Sequence, residues 1–192
     1  MKLLSIAIST IALTACALPP KYTAEKLPPG ATFVPLKNPS FNVDDKGRFP
    51  GWAAMEHSQS GSYTFDADTI RAHSSPTSLR IRRIGAEPWG LVEQVITIPP
   101  DWLGKTVRLG GYLRTEGADG GGALLIQTRA AGGSPLTYDH MNAGRPTGTQ
   151  DWKRYSVEVK IPKEAKGLMV GAMLDGNGAL WVDDLSLVLV DK

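Results

Sequence analysis

The sequence predicts an all-β domain built as an antiparallel sandwich, and three observations carry that prediction. Apolar runs of strand length recur between residues 79 and 190, broken by Gly, Pro, Asn and Asp. Within 106–116 the alternation is strict: Val107, Leu109, Gly111, Leu113 and Thr115 share one side, and Arg108, Tyr112, Arg114 and Glu116 the other. That is the period of a strand with one face toward a core. Beyond Asn38 no stretch keeps a helical period with caps over about ten residues, and only 163–166 suits a single helical turn.

The chain opens with Lys2, an apolar run over 3–12, and Leu13-Thr14-Ala15-Cys16, which holds the sole cysteine. The run is shorter than the roughly 20 residues of a membrane span and has the layout of a secretory signal, so residues 1–15 are expected to be a signal peptide. Leu13-Thr14-Ala15-Cys16 resembles the bacterial lipobox. The resemblance implies cleavage before Cys16, diacylglycerol on its thiol, and acylation of the new amine. Two or three chains, at roughly 0.8 kcal/mol per buried methylene, anchor a protein to a membrane without crossing it. The cell envelope is the expected location, and the outer membrane if the cell is Gram-negative, because Ala17 rather than Asp follows the cysteine. The alternative is an ordinary signal peptide beside a stray buried cysteine.

Residues 16–36 carry the lipidated cysteine and Pro19, Pro20, Pro28, Pro29 and Pro35, and are expected to form a semi-rigid spacer. Residues 37–192 then form one domain; about 155 residues suffice for a single core. The formal charge of the whole chain is +2, and +1 once Lys2 is removed. With no Lys/Arg stripe, nucleic acid is not an expected partner. If Cys16 carries lipid, no thiol remains for a disulfide, a thiolate metal site or a cysteine nucleophile.

The strands are expected at 79–84, 89–98, 106–116, 123–128, 153–161, 167–174 and 179–190. Gly120-Gly121-Gly122 and Gly132-Gly133 suit loop tips. Asn38-Pro39-Ser40-Phe41, Gly51-Trp52, Ser78-Leu79-Arg80-Ile81, Gln94-Val95, Tyr112-Leu113-Arg114-Thr115, Tyr138-Asp139-His140-Met141, Gly148-Thr149-Gln150-Asp151-Trp152 and Leu180-Trp181-Val182-Asp183-Asp184-Leu185 follow in order. Together they resemble a jelly-roll module of the galactose-binding-like superfamily, the kind seen as carbohydrate-binding modules on glycoside hydrolases and appended to assorted bacterial regulators. The resemblance spans about residues 36–190 and implies a saccharide ligand, although fold alone does not determine function.

Of the five tryptophans, Trp152 and Trp181 read as structural. Trp89, after Glu87-Pro88 and before Gly90, reads either as an exposed stacking platform or as core. A second candidate set is polar: Gln94, Tyr112, Arg114, Gln127 and Arg129, whose amides and guanidinium groups suit vicinal hydroxyls. Its alternative is a solvated sheet face. Asp139, His140, Asn142 and Arg145 invite a catalytic reading, but Asp and Asn are also turn formers.

No catalytic motif stands out. There is no Gly-x-Ser-x-Gly elbow, no Ser-x-x-Lys and no His-x-x-x-His, so an enzyme is not expected. The resemblance further implies a structural calcium between the first and last strands, with Asp184 and Asn42 as ligands, or with Asp44 or Asp45 substituting for Asn42. Asn42 stands where the family usually has Glu. The alternative is that Asp183 and Asp184 simply end the sheet through hydrogen bonds or solvation. The expectation is therefore a lipid-anchored binding protein for an envelope polysaccharide, peptidoglycan or another glycan. Its alternative is an assembly lipoprotein docking another envelope protein.

Overall fold

The computed structural model describes residues 29–190 except Ser75. Cys16 and the expected signal peptide lie outside the described residues. The strands are β1 (Ala31–Val34), β2 (Ala53–Glu56), β3 (Tyr63–Asp68), β4 (Ser78–Arg83), β5 (Trp89–Thr97), β6 (Thr106–Ala118), β7 (Gly122–Arg129), β8 (Pro135–Asp139), β9 (Gly148–Lys160), β10 (Gly167–Asp175) and β11 (Ala179–Val190). One short 3-10 turn, Pro100–Trp102, precedes β6.

Two antiparallel sheets form a sandwich. The larger runs β3-β4-β11-β6-β9, and the smaller runs β2-β5-β10-β7-β8. Strand β11 is the spine of the larger sheet. It pairs with β6 along one edge and divides its other edge between β4, at Ala179–Val182, and β1, at Leu187–Val190. Inward residues from both sheets meet in one core, in which Leu79, Ile81, Leu109, Leu124, Ile126, Leu168 and Leu180 are fully buried. Each such side chain contributes about 1.5–3 kcal/mol through burial.

The seven expected strands are β4, β5, β6, β7, β9, β10 and β11, with bounds shifted by at most a few residues except at the start of β9. The other four carry weaker patterns. Strand β1 lies inside the segment expected as spacer, so residues 31–34 of that segment belong to the larger sheet through their pairing with β11. Its Ala-Thr-Phe-Val is β-prone, and the flanking Gly30 and Pro35 stand outside the ladder. Strands β2 and β8 are the edges of the smaller sheet, where few side chains are buried and no alternation is needed.

A bulge interrupts β11 between Asp183 and Ser186. Asp184 sits there at φ 52°, an unusual conformation for a residue with a Cβ. Leu185 N–H turns away from β6 and donates to Pro39 O at 3.0 Å. The bulge thereby ties the last strand to the segment around Phe41, whose buried ring meets Phe49 edge-on at 5.9 Å and Trp52 at 4.9 Å.

Candidate functional site

The outer face of the smaller sheet carries a cleft of about 300 Å³. Its floor is apolar because residues of one parity on three neighbouring strands point outward. These are Leu91 from β5, Met169 and Met173 from β10, and Leu125 from β7. Trp89, half-buried on β5, packs against this floor at one side. Tyr138, on β8 at the other side, is 62% exposed. Strands β10 and β7 lie between them, and the register sets Tyr138 level with Gln127, Met169 and Val95, six residues along β5 from Trp89, so the two rings stand at diagonal corners of the cleft.

Polar groups border the floor. Gln127 lines the cleft and accepts from Arg129 Nε at 3.1 Å, while Arg129 Nη2 lies 3.6 Å from Glu93 Oε2. At another margin Arg145 pairs with Asp175 and its guanidinium also reaches His140. Asp139 Oδ1 accepts Met141 N–H at 2.9 Å, closing the turn that aims Tyr138 and His140 at the cleft. The cleft thus holds two carboxylates, Asp139 and Asp175, but one closes a turn and the other neutralises an arginine. What the arrangement offers is a broad apolar floor with one exposed ring, Tyr138, one half-buried ring, Trp89, and amide, imidazole and carboxylate groups at its margin. That combination suits holding a flat, hydroxylated ligand.

The expected site residues divide among three places. Trp89, Gln127 and Arg129 share the outer face of the smaller sheet. Gln94 belongs to the same sheet with the opposite parity: it is buried among inward residues. It accepts Lys37 N–H at 2.9 Å and donates to Lys37 O at 2.9 Å and Gly51 O at 3.1 Å. Its amide is a structural pin between β5 and the segments that precede β2, so it is not displayed on the outer face of the sheet. Tyr112 and Arg114 lie on β6, on the outer face of the other sheet. There Arg114 pairs with Asp151 and lies 5.9 Å from the Trp181 ring, and Tyr112 stacks on His73 at 3.7 Å.

Trp181 is buried on that outer face, not in the central core. Arg71 covers it at 5.1 Å, and its Nε1–H donates to Asp68 Oδ2 at 2.8 Å. Burial pushes the Asp68 carboxyl up, but bonds from Trp181 and from the Arg71 and Ile70 amides, with the Arg80 charge, outweigh it and leave it below the usual range.

The residues implied for calcium are engaged by protein hydrogen-bonding groups. Asp184 Oδ1 accepts from Ser40 Oγ at 3.3 Å, and Oδ2 from His73 Nδ1 at 2.8 Å and from Ser74 Oγ. Fully buried Asp183 accepts from the amides of Asp184, His73 and Ser74. Burial first, and the Asp184 charge second, push its carboxyl up to about 6 against the opposing pull of those amides. Asn42 is exposed, and its backbone N–H and C=O are both held by the Asn38 side chain, at 2.8 Å each. Among the described residues no three His, Cys, Asp or Glu side chains form a metal cluster.

Tyr138 and Asp175 are cleft residues the sequence reading did not select as ligand contacts. The signal for Tyr138 was its place in the Tyr-Asp-x-Met turn; for Asp175 nothing local distinguishes it from a strand end.

The fold is that of carbohydrate-binding modules. The chain is similar to the CBM22-1 xylan-binding domain of Paenibacillus barcinonensis Xyn10C, with TM-score 0.54 and 21% identity over 80% of this chain and 92% of that one. It is also similar to TmCBM61, solved in complex with β-1,4-galactotriose, with TM-score 0.52, 18% identity and coverage of 79% and 95%. The enzymatically active domain of bacteriophage CBA120 tailspike protein 4 has TM-score 0.60 and 13% identity, over 81% of this chain and 22% of that one. In sequence, 91 residues, 47% of this chain, are 29% identical to YbfP of Bacillus subtilis (strain 168), an uncharacterized HTH-type transcriptional regulator. That match spans 31% of the regulator's length. No family model matches the chain.

Proposed function

We propose that this protein is a non-catalytic glycan-binding lipoprotein of the cell envelope, anchored through Cys16 and holding a saccharide chain in the cleft of the smaller sheet. The observation that carries the reading is that cleft: Trp89 and Tyr138 flank a floor of Leu91, Leu125, Met169 and Met173, with Gln127 and His140 at hand for hydroxyls. Aromatic rings at two diagonal corners of the cleft favour an oligomer over a single ring. The likeness to modules named for xylan binding and solved with a galactotriose supports the same reading. The anchor rests on Lys2, the apolar run and Leu13-Thr14-Ala15-Cys16.

The test is retention of a soluble chain beginning at Lys21 on immobilised polysaccharides and on peptidoglycan, beside its Trp89→Ala and Tyr138→Ala variants. Competable retention lost in both variants supports the reading. Retention that survives both moves the ligand off this cleft.

A second reading is an assembly lipoprotein docking another envelope protein. Exposed Met55 and Val95 extend the apolar floor on the same face, and a side chain from a partner would fill it as well as a sugar. A folded protein that binds none of the glycans but co-purifies with a salt-resistant partner supports that alternative.

A further inference from the structure

A jelly roll of this kind is expected to join its first and last strands through calcium. Here the same junction is crowded with protein donors. Three segments meet: residues 39–41 leading out of β1, the loop 69–77, and the bulge at Asp183 and Asp184. Each of the four carboxylate oxygens of the pair accepts at least one hydrogen bond from the other two segments or from the bulge itself. Two contacts from neighbouring residues lock the same segments. Thr77 Oγ1 donates to Phe41 O at 2.9 Å, and Ser78 Oγ donates to Arg71 O at 3.1 Å.

The His73 ring is the central piece. Tyr112 stacks on it at 3.7 Å with planes 19° apart, and Trp152 meets it edge-on at 5.7 Å. These rings fix the imidazole plane and direct Nδ1 at Asp184 Oδ2. With Asp184 ionised, Nδ1 carries the proton, since a carboxylate only accepts. An imidazole N–H and a hydroxyl aimed at one carboxylate oxygen stand where a hard cation would, and among the described residues no three His, Cys, Asp or Glu side chains gather as a metal cluster.

We propose that the His73-Ser74 turn is a metal-free clasp: its imidazole, hydroxyl and amides close the junction of first and last strands on Asp183 and Asp184, where calcium would otherwise act. Hydrogen bonds to buried carboxylates are among the stronger ones available, and removing a donor leaves buried charge unsatisfied. The clasp also explains the left-handed backbone of Asp184, which presents its carboxylate to a loop that β11 does not pair with.

The test uses the full chain in detergent, with terbium as the calcium probe. Coincident melting curves in calcium and in EDTA, and no terbium emission sensitised by Trp152, are expected. A saturable rise of Tm with calcium, or sensitised emission abolished by Asp184→Ala, overturns the proposal, because mass action requires an ion bound to the folded state to raise Tm. His73→Phe keeps a ring against Tyr112 and removes the donor. Faster amide exchange confined to residues 70–77 in that variant supports the clasp, and unchanged exchange overturns it. Should the variant not fold, wild-type histidine nitrogen shifts decide the matter: a protonated His73 Nδ1 is expected, and an unprotonated one overturns it.

Discussion

The outer faces of the two sheets put similar residues to opposite uses. On the larger sheet an aromatic ring, arginines and carboxylates satisfy one another: Trp181 lies under Arg71 and bonds Asp68, Arg114 pairs with Asp151, and the His73 turn closes over Asp183 and Asp184. On the smaller sheet Trp89 and Tyr138 are left open beside an apolar floor. Composition does not separate the two faces. What separates them is the cover that Arg71 and His73 lay over one and the open cleft on the other, so similar residues are closed off on one face and left accessible on the other.

The sharpest way to break that comparison is Trp181→Ala. Loss of a fully buried indole costs roughly 3–5 kcal/mol, read as a lower midpoint in guanidinium unfolding. Glycan retention per folded molecule should be unchanged. Lost retention in a folded variant would move binding to the larger sheet and reverse the assignment of the two faces.

Next in size is pH. Asp183 has a folded-state pKa of about 6 against 3.8 for the free side chain. The folded state therefore binds the proton more tightly than the unfolded chain. Stability from this group is present below about pH 4 and is lost as pH rises through 6, by on the order of 3 kcal/mol at full ionisation. Asp68 is displaced downward and works in the opposite sense, losing stability on acidification. Asp183→Asn removes the first dependence, so the difference between variant and parent Tm should grow from pH 4 to pH 7. A difference flat across that range would show that Asp183 is not held at its raised value.

Much of the fold was legible because long half-buried strands must alternate. Seven strands follow from apolar runs and turn residues, and the parity of β6 follows residue by residue. The site was legible only in part, for two physical reasons. Period two tells which residues share a face of a strand, not which sheet the strand joins. Tyr112 and Arg114 point outward as expected, yet β6 lies in the larger sheet, beside β11. Polarity also misleads where the backbone has groups to satisfy. Gln94 shares its inward parity with Val92, and a buried amide is stable there because Lys37 and Gly51 complete its bonds. Of the four weaker strands, β2 and β8 were invisible because they are exposed edges, and β1 because it hides among prolines.

Gln94→Ala sharpens this point. It orphans the Lys37 amide and two carbonyls, at a cost of roughly 1–3 kcal/mol, and should lower Tm while leaving retention on glycan intact. A variant that keeps its Tm and loses retention would return Gln94 to the ligand.

The smallest expected effect is the one that bears most directly on function. Trp89→Ala removes a half-buried ring from the margin of the cleft, where it also meets His57 edge-on at 5.5 Å. Little core is disturbed, so the unfolding midpoint should barely move. Loss of one stacking face is worth about 1.4 kcal/mol, a tenfold weaker retention. Trp181 and Trp89 then form a matched pair: one substitution lowers stability and spares binding, the other lowers binding and spares stability. If both lower stability alike, Trp89 is core, the cleft loses one of its two aromatic flanks, and the apolar floor becomes a surface better suited to a protein partner than to a sugar.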